Sequence, residues 1–346
     1  MTSFTPRARA TGIGSLPHPA PSDALNVVLK NFPTIPYWPQ LPRRDFRESM
    51  YAQFSEGLVG IKMDVAKEWI GVETNDDTLN QVEAFYGRYL EENPELFAVH
   101  SDYAAGLYAL RDRRDSLKEA QWVKGQVTGP ISFGLKVVDQ NLRPMLYDDT
   151  LRDVLVKYLA RKAQWQEDFL SALGPTITFI DEPSLAMFGA SVVALNRDEV
   201  IRDLEEVFSA LKGIKGTHCC GNTDWSLLLE TSVDVISFDA LNYTENLALY
   251  TSDVRRFLDR GGVLAWGIVP TVEEEIAAAN VDGLAARLDA AIALLVKKGI
   301  DRDQLYAQAL ITPACGLGTV SVSAAERAFA LTRALSEKVR AHCGWS

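Results

Sequence analysis

The sequence predicts a (β/α)8 barrel with N-terminal and loop insertions, forming one domain over residues 1–346. Short apolar runs alternate with helical stretches through the second half of the chain, the pattern of a parallel sheet with crossover helices. Strand centres fall at Ile13, Val59, Val123, Ile177, Ile214, Val235, Val263 and Leu310, a set that favours closure over a doubly wound sheet. Polar residues of unusual chemistry follow many of these runs, and a barrel gathers all such strand ends on one face.

The elements follow in order. Glycine and proline between Thr11 and Pro19 break a first strand into a loop, and Ser22 or Asp23 can cap a helix over 24–30. Residues 32–42 hold four prolines, so they read as an extended wall rather than a regular central strand. Helical patterns cover 46–57 and 77–92, with a short apolar run at 59–63 between them. A strand over 122–127 ends at Thr128, and apolar spacing predicts a long helix over 151–173. Strands at 176–180, 214–219, 233–238, 263–266 and 305–311 then alternate with helices at 197–211, 225–230, 245–259, 283–298 and 324–341.

Composition narrows the function. A chain of 346 residues that is 47% hydrophobic buries a large core without disulfides. A formal charge of -11 works against nucleic acid or anionic membrane as a partner. Four cysteines, two of them adjacent, favour a reducing compartment. The first residues lack an apolar leader core, and the apolar run 290–296 is too short to span a bilayer, so the expected location is cytoplasmic. No dinucleotide, P-loop or nucleophile-elbow motif occurs in a suitable context.

The chemistry concentrates in Gly216-Thr217-His218-Cys219-Cys220-Gly221-Asn222-Thr223. On a strand, His218 and Cys220 share a face and Cys219 takes the other. Asp239 follows the next strand and Cys315 a late one. Two cysteines and a histidine, with an oxygen ligand or an open position, suit zinc, and soft thiolates exclude magnesium and calcium. A free thiol is only a few per cent thiolate at neutral pH, a penalty of roughly 2 kcal/mol that coordination removes. Spacing alone leaves open a plainer reading, in which His218 and Cys220 are an ordinary strand end and Cys315 lies apart.

Four motifs in order add to this: Gly14-Ser15-Leu16-Pro17, Thr128-Gly129-Pro130-Ile131, Ile180-Asp181-Glu182-Pro183-Ser184-Leu185 and Pro313-Ala314-Cys315-Gly316-Leu317. Together, over 11–333, they resemble the catalytic barrel of cobalamin-independent methionine synthase, within the uroporphyrinogen decarboxylase/methionine synthase-like superfamily. The resemblance implies Zn2+ held by His218, Cys220, Cys315 and Asp239. It also implies homocysteine as methyl acceptor, with Gly14, Ser15, Asp181, Glu182 and Asn222 around the substrate and Asp181 joining the metal ligands in catalysis. Asp239 stands where methionine synthases carry a glutamate, one methylene longer.

The extension Gly221-Asn222-Thr223 departs from that family and resembles the corrinoid-linked methyltransferases, and the chain holds one barrel where full-length methionine synthase has two. Both departures make a methylcorrinoid such as methylcobalamin, free or on a corrinoid protein, the expected methyl donor in place of methyl-tetrahydrofolate. Trp225, Trp266 and Phe188 are placed near the expected mouth. A porphyrinogen decarboxylase is the competing enzyme reading, but it leaves the histidine and cysteines without a role and lacks a basic N-terminal cluster. A zinc-stabilised, non-catalytic module is the third.

Overall fold

The computed structural model describes residues 4–91, 93–191 and 193–345. Its centre is a seven-stranded sheet built from β1 (Arg9–Ala10), β4 (Val123–Thr128), β5 (Thr176–Asp181), β6 (Ile214–Cys219), β7 (Val235–Asp239), β8 (Val263–Val269) and β9 (Ala309–Pro313). The order is β1-β9-β8-β7-β6-β5-β4, and every pairing is parallel. Helices cover the outer face. Asp149–Ser171 lies on β4 and β5, and Val322–His342 on β1 and β9.

The sheet is curled but open. No eighth strand pairs with both β1 and β4 among the described residues; residues 36–40 span the gap by isolated bridges, Tyr37 to Lys124 and Ser15 to Gln40. Around them the Lys124 amide donates to Pro36 O at 2.8 Å and the Leu16 amide to Gln40 O at 2.9 Å. Pro36 and Pro39 have no N–H to give, so a continuous ladder cannot form here. The run expected at 59–63 is not the second strand. It belongs to β2 (Ile61–Asp64), which pairs antiparallel with β3 (Trp69–Val72) in a separate ribbon.

Other expectations shift in detail. Residues 46–57 form two short 3-10 turns, Phe46–Glu48 and Ala52–Phe54, instead of one helix. The helix expected over 77–92 spans Thr78–Leu90, and residue 92 lies outside the described residues. Residues 305–311 divide between a helix, Arg302–Ala307, and β9.

Alternation along the strands sets what faces inward. Ile177 and Phe179 of β5 join Phe4, Ile35, Val235, Val263, Ala265 and Leu310 in a cluster inside the curl. Asp181 continues that row beyond the apolar plug, and register sets it beside His218, which pairs with Ser237. Ile180 and Cys219, of opposite parity, pack in the outer core beneath the helices. Among the described residues, no helix is long and apolar enough to cross a membrane.

The turn that feeds β6 is held by a buried carboxylate. Glu167 Oε2 accepts the Lys212 amide at 2.8 Å and Oε1 the Gly213 amide at 2.7 Å, with Thr176 Oγ1 donating at 3.2 Å. Hydrogen bonds to a charged acceptor contribute about 1.5–3 kcal/mol each, and coupled losses are not additive. Glu167→Ala is therefore expected to lower the unfolding free energy in urea by about 2–3 kcal/mol. An unchanged midpoint would show that this clamp does not set the entry to β6.

Candidate metal centre

At the carboxyl ends of the strands lies a cavity of about 1140 Å³, lined among others by Ser15, Asp181, His218, Cys220 and Cys315. One ring nitrogen of His218 and the sulfurs of Cys220 and Cys315 all lie within 4.8 Å of one another. His218 ends β6 and is buried. Its Nδ1 lies 2.9 Å from Ser237 Oγ, while its Nε2 is buried with no hydrogen bond of normal geometry among the described residues. Leaving a buried ring nitrogen unpaired is costly, and a metal ion at the point shared with the two sulfurs would satisfy it.

The sulfurs are electrostatically linked. The Cys220 thiol is held well below the usual thiol range, first by a hydrogen bond from Cys315 and then by His218. Cys315 is pushed up in return, by that same bond and by burial. A dication bound at the same point would favour the deprotonated form of both sulfurs. The donor set, one imidazole and two thiolates, fits zinc with a fourth position left for a ligand. Cys219 faces away; burial pushes its thiol up to about 12.

Asp239 is not part of the cluster. Its Oδ1 accepts the amides of Leu241 at 2.9 Å and Asn242 at 3.1 Å, and its Oδ2 accepts Asn242 Nδ2 at 2.7 Å. The carboxylate thus turns the chain out of β7, and the structure brings together three of the four expected ligands.

The expected substrate residues separate into two groups. Asp181 and Ser15 line the cavity. Asp181 Oδ1 is buried with no hydrogen-bond partner among the described residues; burial raises the carboxyl's pKa, while Lys124 and His218 pull it back down. Lys124 is itself fully buried, donating to Ile13 O at 2.5 Å, and burial lowers its pKa to about 8. Ser15 fixes the loop that follows Cys315: its carbonyl accepts the Leu317 amide at 2.9 Å and its Oγ the Gly318 amide at 3.2 Å. A Cβ at Gly316 would lie 2.3 Å from Ser15 Oγ, so only glycine allows that approach.

Glu182, Gly14 and Asn222 do not line the cavity. Glu182 is fully buried and accepts the Ile131 amide at 2.9 Å, the Ser132 amide at 2.7 Å and Ser132 Oγ at 2.6 Å. Burial pushes its carboxyl up to about 7 against these donors, which favour the anion. It ties the strand-five loop to the start of the helix Pro130–Lys136, and a Cβ at Gly129 would lie 2.2 Å from its Oε1. Gly14 packs against Gln40, and Asn222 is exposed. The three aromatics expected at the mouth are not there either. Trp225 and Trp266 are fully buried with ring centroids 5.8 and 5.4 Å from Phe238, and Phe188 packs against the outer core.

Two features escape sequence reasoning. Ser237, the partner of His218, becomes visible only once β6 and β7 are paired in register. The cavity wall formed by residues 42–50 includes Arg43 and Arg44, so basic residues from the N-terminal part do reach the site. Their adjacency in Pro42-Arg43-Arg44 is the one signal that could have marked them.

No known sequence family and no curated protein matches the chain. Solved structures do match. A B12-independent methionine synthase from Shewanella sp. W3-18-1, in complex with selenomethionine, superposes with a TM-score of 0.60 at 17% identity, over 97% of this chain and 99% of that one. A methyltransferase from Methanosarcina mazei gives 0.56 at 13% identity, over 94% and 93%. A candidate vitamin-B12-independent methionine synthase from Listeria monocytogenes gives 0.55 at 11% identity, over 94% and 86%. The chain therefore shares the fold of the cobalamin-independent methionine synthases.

These likenesses overturn the expected methylcorrinoid donor, methylcobalamin included, and with it the corrinoid-protein partner, because the methionine synthases among the structures named above are B12-independent types. The residues behind that expectation have local work instead. Thr223 Oγ1 donates to Leu185 O at 2.8 Å, a Cβ at Gly221 would lie 2.4 Å from the Ala186 Cβ, and Asn222 points to solvent.

Metal content tests the cluster. Cys315→Ser is expected to lose most bound zinc by elemental analysis, and Ser237→Ala to weaken zinc binding about tenfold or more by freeing the His218 ring. Asp239→Asn is expected to keep its zinc. Full retention in Cys315→Ser would place that sulfur outside the metal's ligands.

Proposed function

We propose that the protein is a zinc-dependent methyltransferase that passes a methyl group from a donor other than a corrinoid to a thiol, with homocysteine as acceptor and methionine as product. The observation that carries the reading is the convergence of His218, Cys220 and Cys315 on one point of a large cavity. The shared fold with a B12-independent methionine synthase supports it. Zinc, when bound, supplies a Lewis acid that holds a substrate thiol deprotonated at neutral pH.

The chain's own residues do the remaining work. Ser237 fixes the His218 ring so that Nε2 faces the shared point, and the two cysteines supply negative sulfur there. Asp181 offers a buried, unpaired oxygen to the ammonium group of an amino-acid thiol, a charge-assisted contact in a low-dielectric site. Ser15 holds the Cys315 loop against the first strand's loop. On this reading residues 36–40 act as the remaining stave of an eight-membered barrel that forms one domain across the chain, supported by the bridges at Tyr37 and Gln40. The free cysteines fit a reducing compartment such as the cytoplasm. A porphyrinogen decarboxylase would leave the metal cluster idle, and Arg44, one of the two wall arginines, is neutralised by Glu48.

Zinc-edge absorption on the zinc-loaded protein, with and without homocysteine, tests the reading. One additional sulfur neighbour is expected on adding the thiol; an unchanged set of zinc neighbours would falsify homocysteine as the acceptor.

A further inference from the structure

The cavity wall at residues 42–50 is dense in charge, and its charges are matched with one exception. Arg44 Nη1 lies 2.6 Å from Glu48 Oε1, and Glu48 Oε2 accepts the Leu41 amide at 3.3 Å. Arg47 holds Asp45 through both carboxylate oxygens, at 3.0 and 2.8 Å, and reaches Asp102 at 3.2 Å. Arg43 differs. Among the described residues it has no carboxylate within 4.0 Å. The acid that influences it, Glu273, is bound to the Ser321 amide.

Among the described residues, Arg43 makes one hydrogen bond, from Nη2 to Thr319 O at 2.6 Å. Its fork of N–H donors is otherwise uncommitted, and a planar guanidinium matches a carboxylate in bidentate fashion. Thr319 lies in the segment that follows Cys315, and Gly316, Gly318 and Thr319 line the same cavity. The loop that supplies a sulfur to the metal point therefore also carries the anchor for Arg43. On the same cavity lining, Asp181 offers a buried carboxyl oxygen with no hydrogen-bond partner among the described residues.

We infer that Arg43 is a specificity residue that binds a carboxylate on the thiol acceptor. This rests on the thiol-methyltransferase reading and adds to it a reason for acceptor choice. With Asp181 facing the ammonium group and Arg43 the acid group, the site distinguishes an amino-acid thiol from a simple aminothiol. The acceptor is the source of the carboxylate because its sulfur and Arg43 are served by one loop, residues 315–319.

Calorimetry on the zinc-loaded full chain separates the outcomes, with homocysteine and its carboxylate-free counterpart 3-aminopropane-1-thiol as the two probes. Arg43→Met is expected to weaken homocysteine binding about ten- to hundredfold while leaving 3-aminopropane-1-thiol unchanged, and Arg43→Lys to fall between. Equal weakening of both thiols would reduce Arg43 to a tether for Thr319 and overturn the inference, as would no weakening of either. If the wild-type protein binds neither thiol, the thiol reading itself fails, and the role of Arg43 falls with it.

Discussion

Register across β5, β6 and β7 is the constraint on which the site depends. Asp181 pairs with His218, and His218 with Ser237, in one row across the inner face of the sheet. A slip of one residue in β6 would turn His218 and Cys220 into the outer core and bring Cys219 inward, because parity is strict along a strand. The apolar plug beneath, with Phe179 and Val235 among its members, holds the row in place from below.

Above that row, the order of the loops comes from polar clamps. Glu182 binds the first amides of the helix Pro130–Lys136, and Ser15 binds the amides of Leu317 and Gly318. Each clamp joins two segments far apart in sequence, and each is possible because a glycine allows the approach, Gly129 in one case and Gly316 in the other. Motifs that read as catalytic are thus partly architectural. Their glycines and carboxylate seat one strand-end loop against the next, and the site's geometry follows from that seating.

What the sequence made legible was local. Strict alternation separates His218 and Cys220 from Cys219, and apolar runs locate β6, β7 and β8 with little error, while the run at 305–311 joins a helix end to β9. The fold class was legible in outline, as α/β with a parallel sheet, whereas the second strand was misplaced. An apolar run at 59–63 gives the same signal whether it enters the main sheet or a separate ribbon. Side-chain partners were the least legible. Asp239 and Glu182 carry carboxylates that suit a metal or a substrate, yet backbone amides claim both, and no spacing rule reveals that. Ser237 was silent for the converse reason, since a lone serine in an apolar strand shows nothing until its neighbour is known.

Pro36 and Pro39 also set the mechanics of the sheet. Strands within the ladder share continuous bonding, whereas the line between β1 and β4 is held by separate bonds. This line runs directly into residues 42–50, the wall that closes the cavity. The molecule therefore divides its sheet between a continuous ladder that carries the His218 row and a pieced seam that leads into the cavity wall, so substitutions in residues 36–40 bear on the wall before they bear on the row.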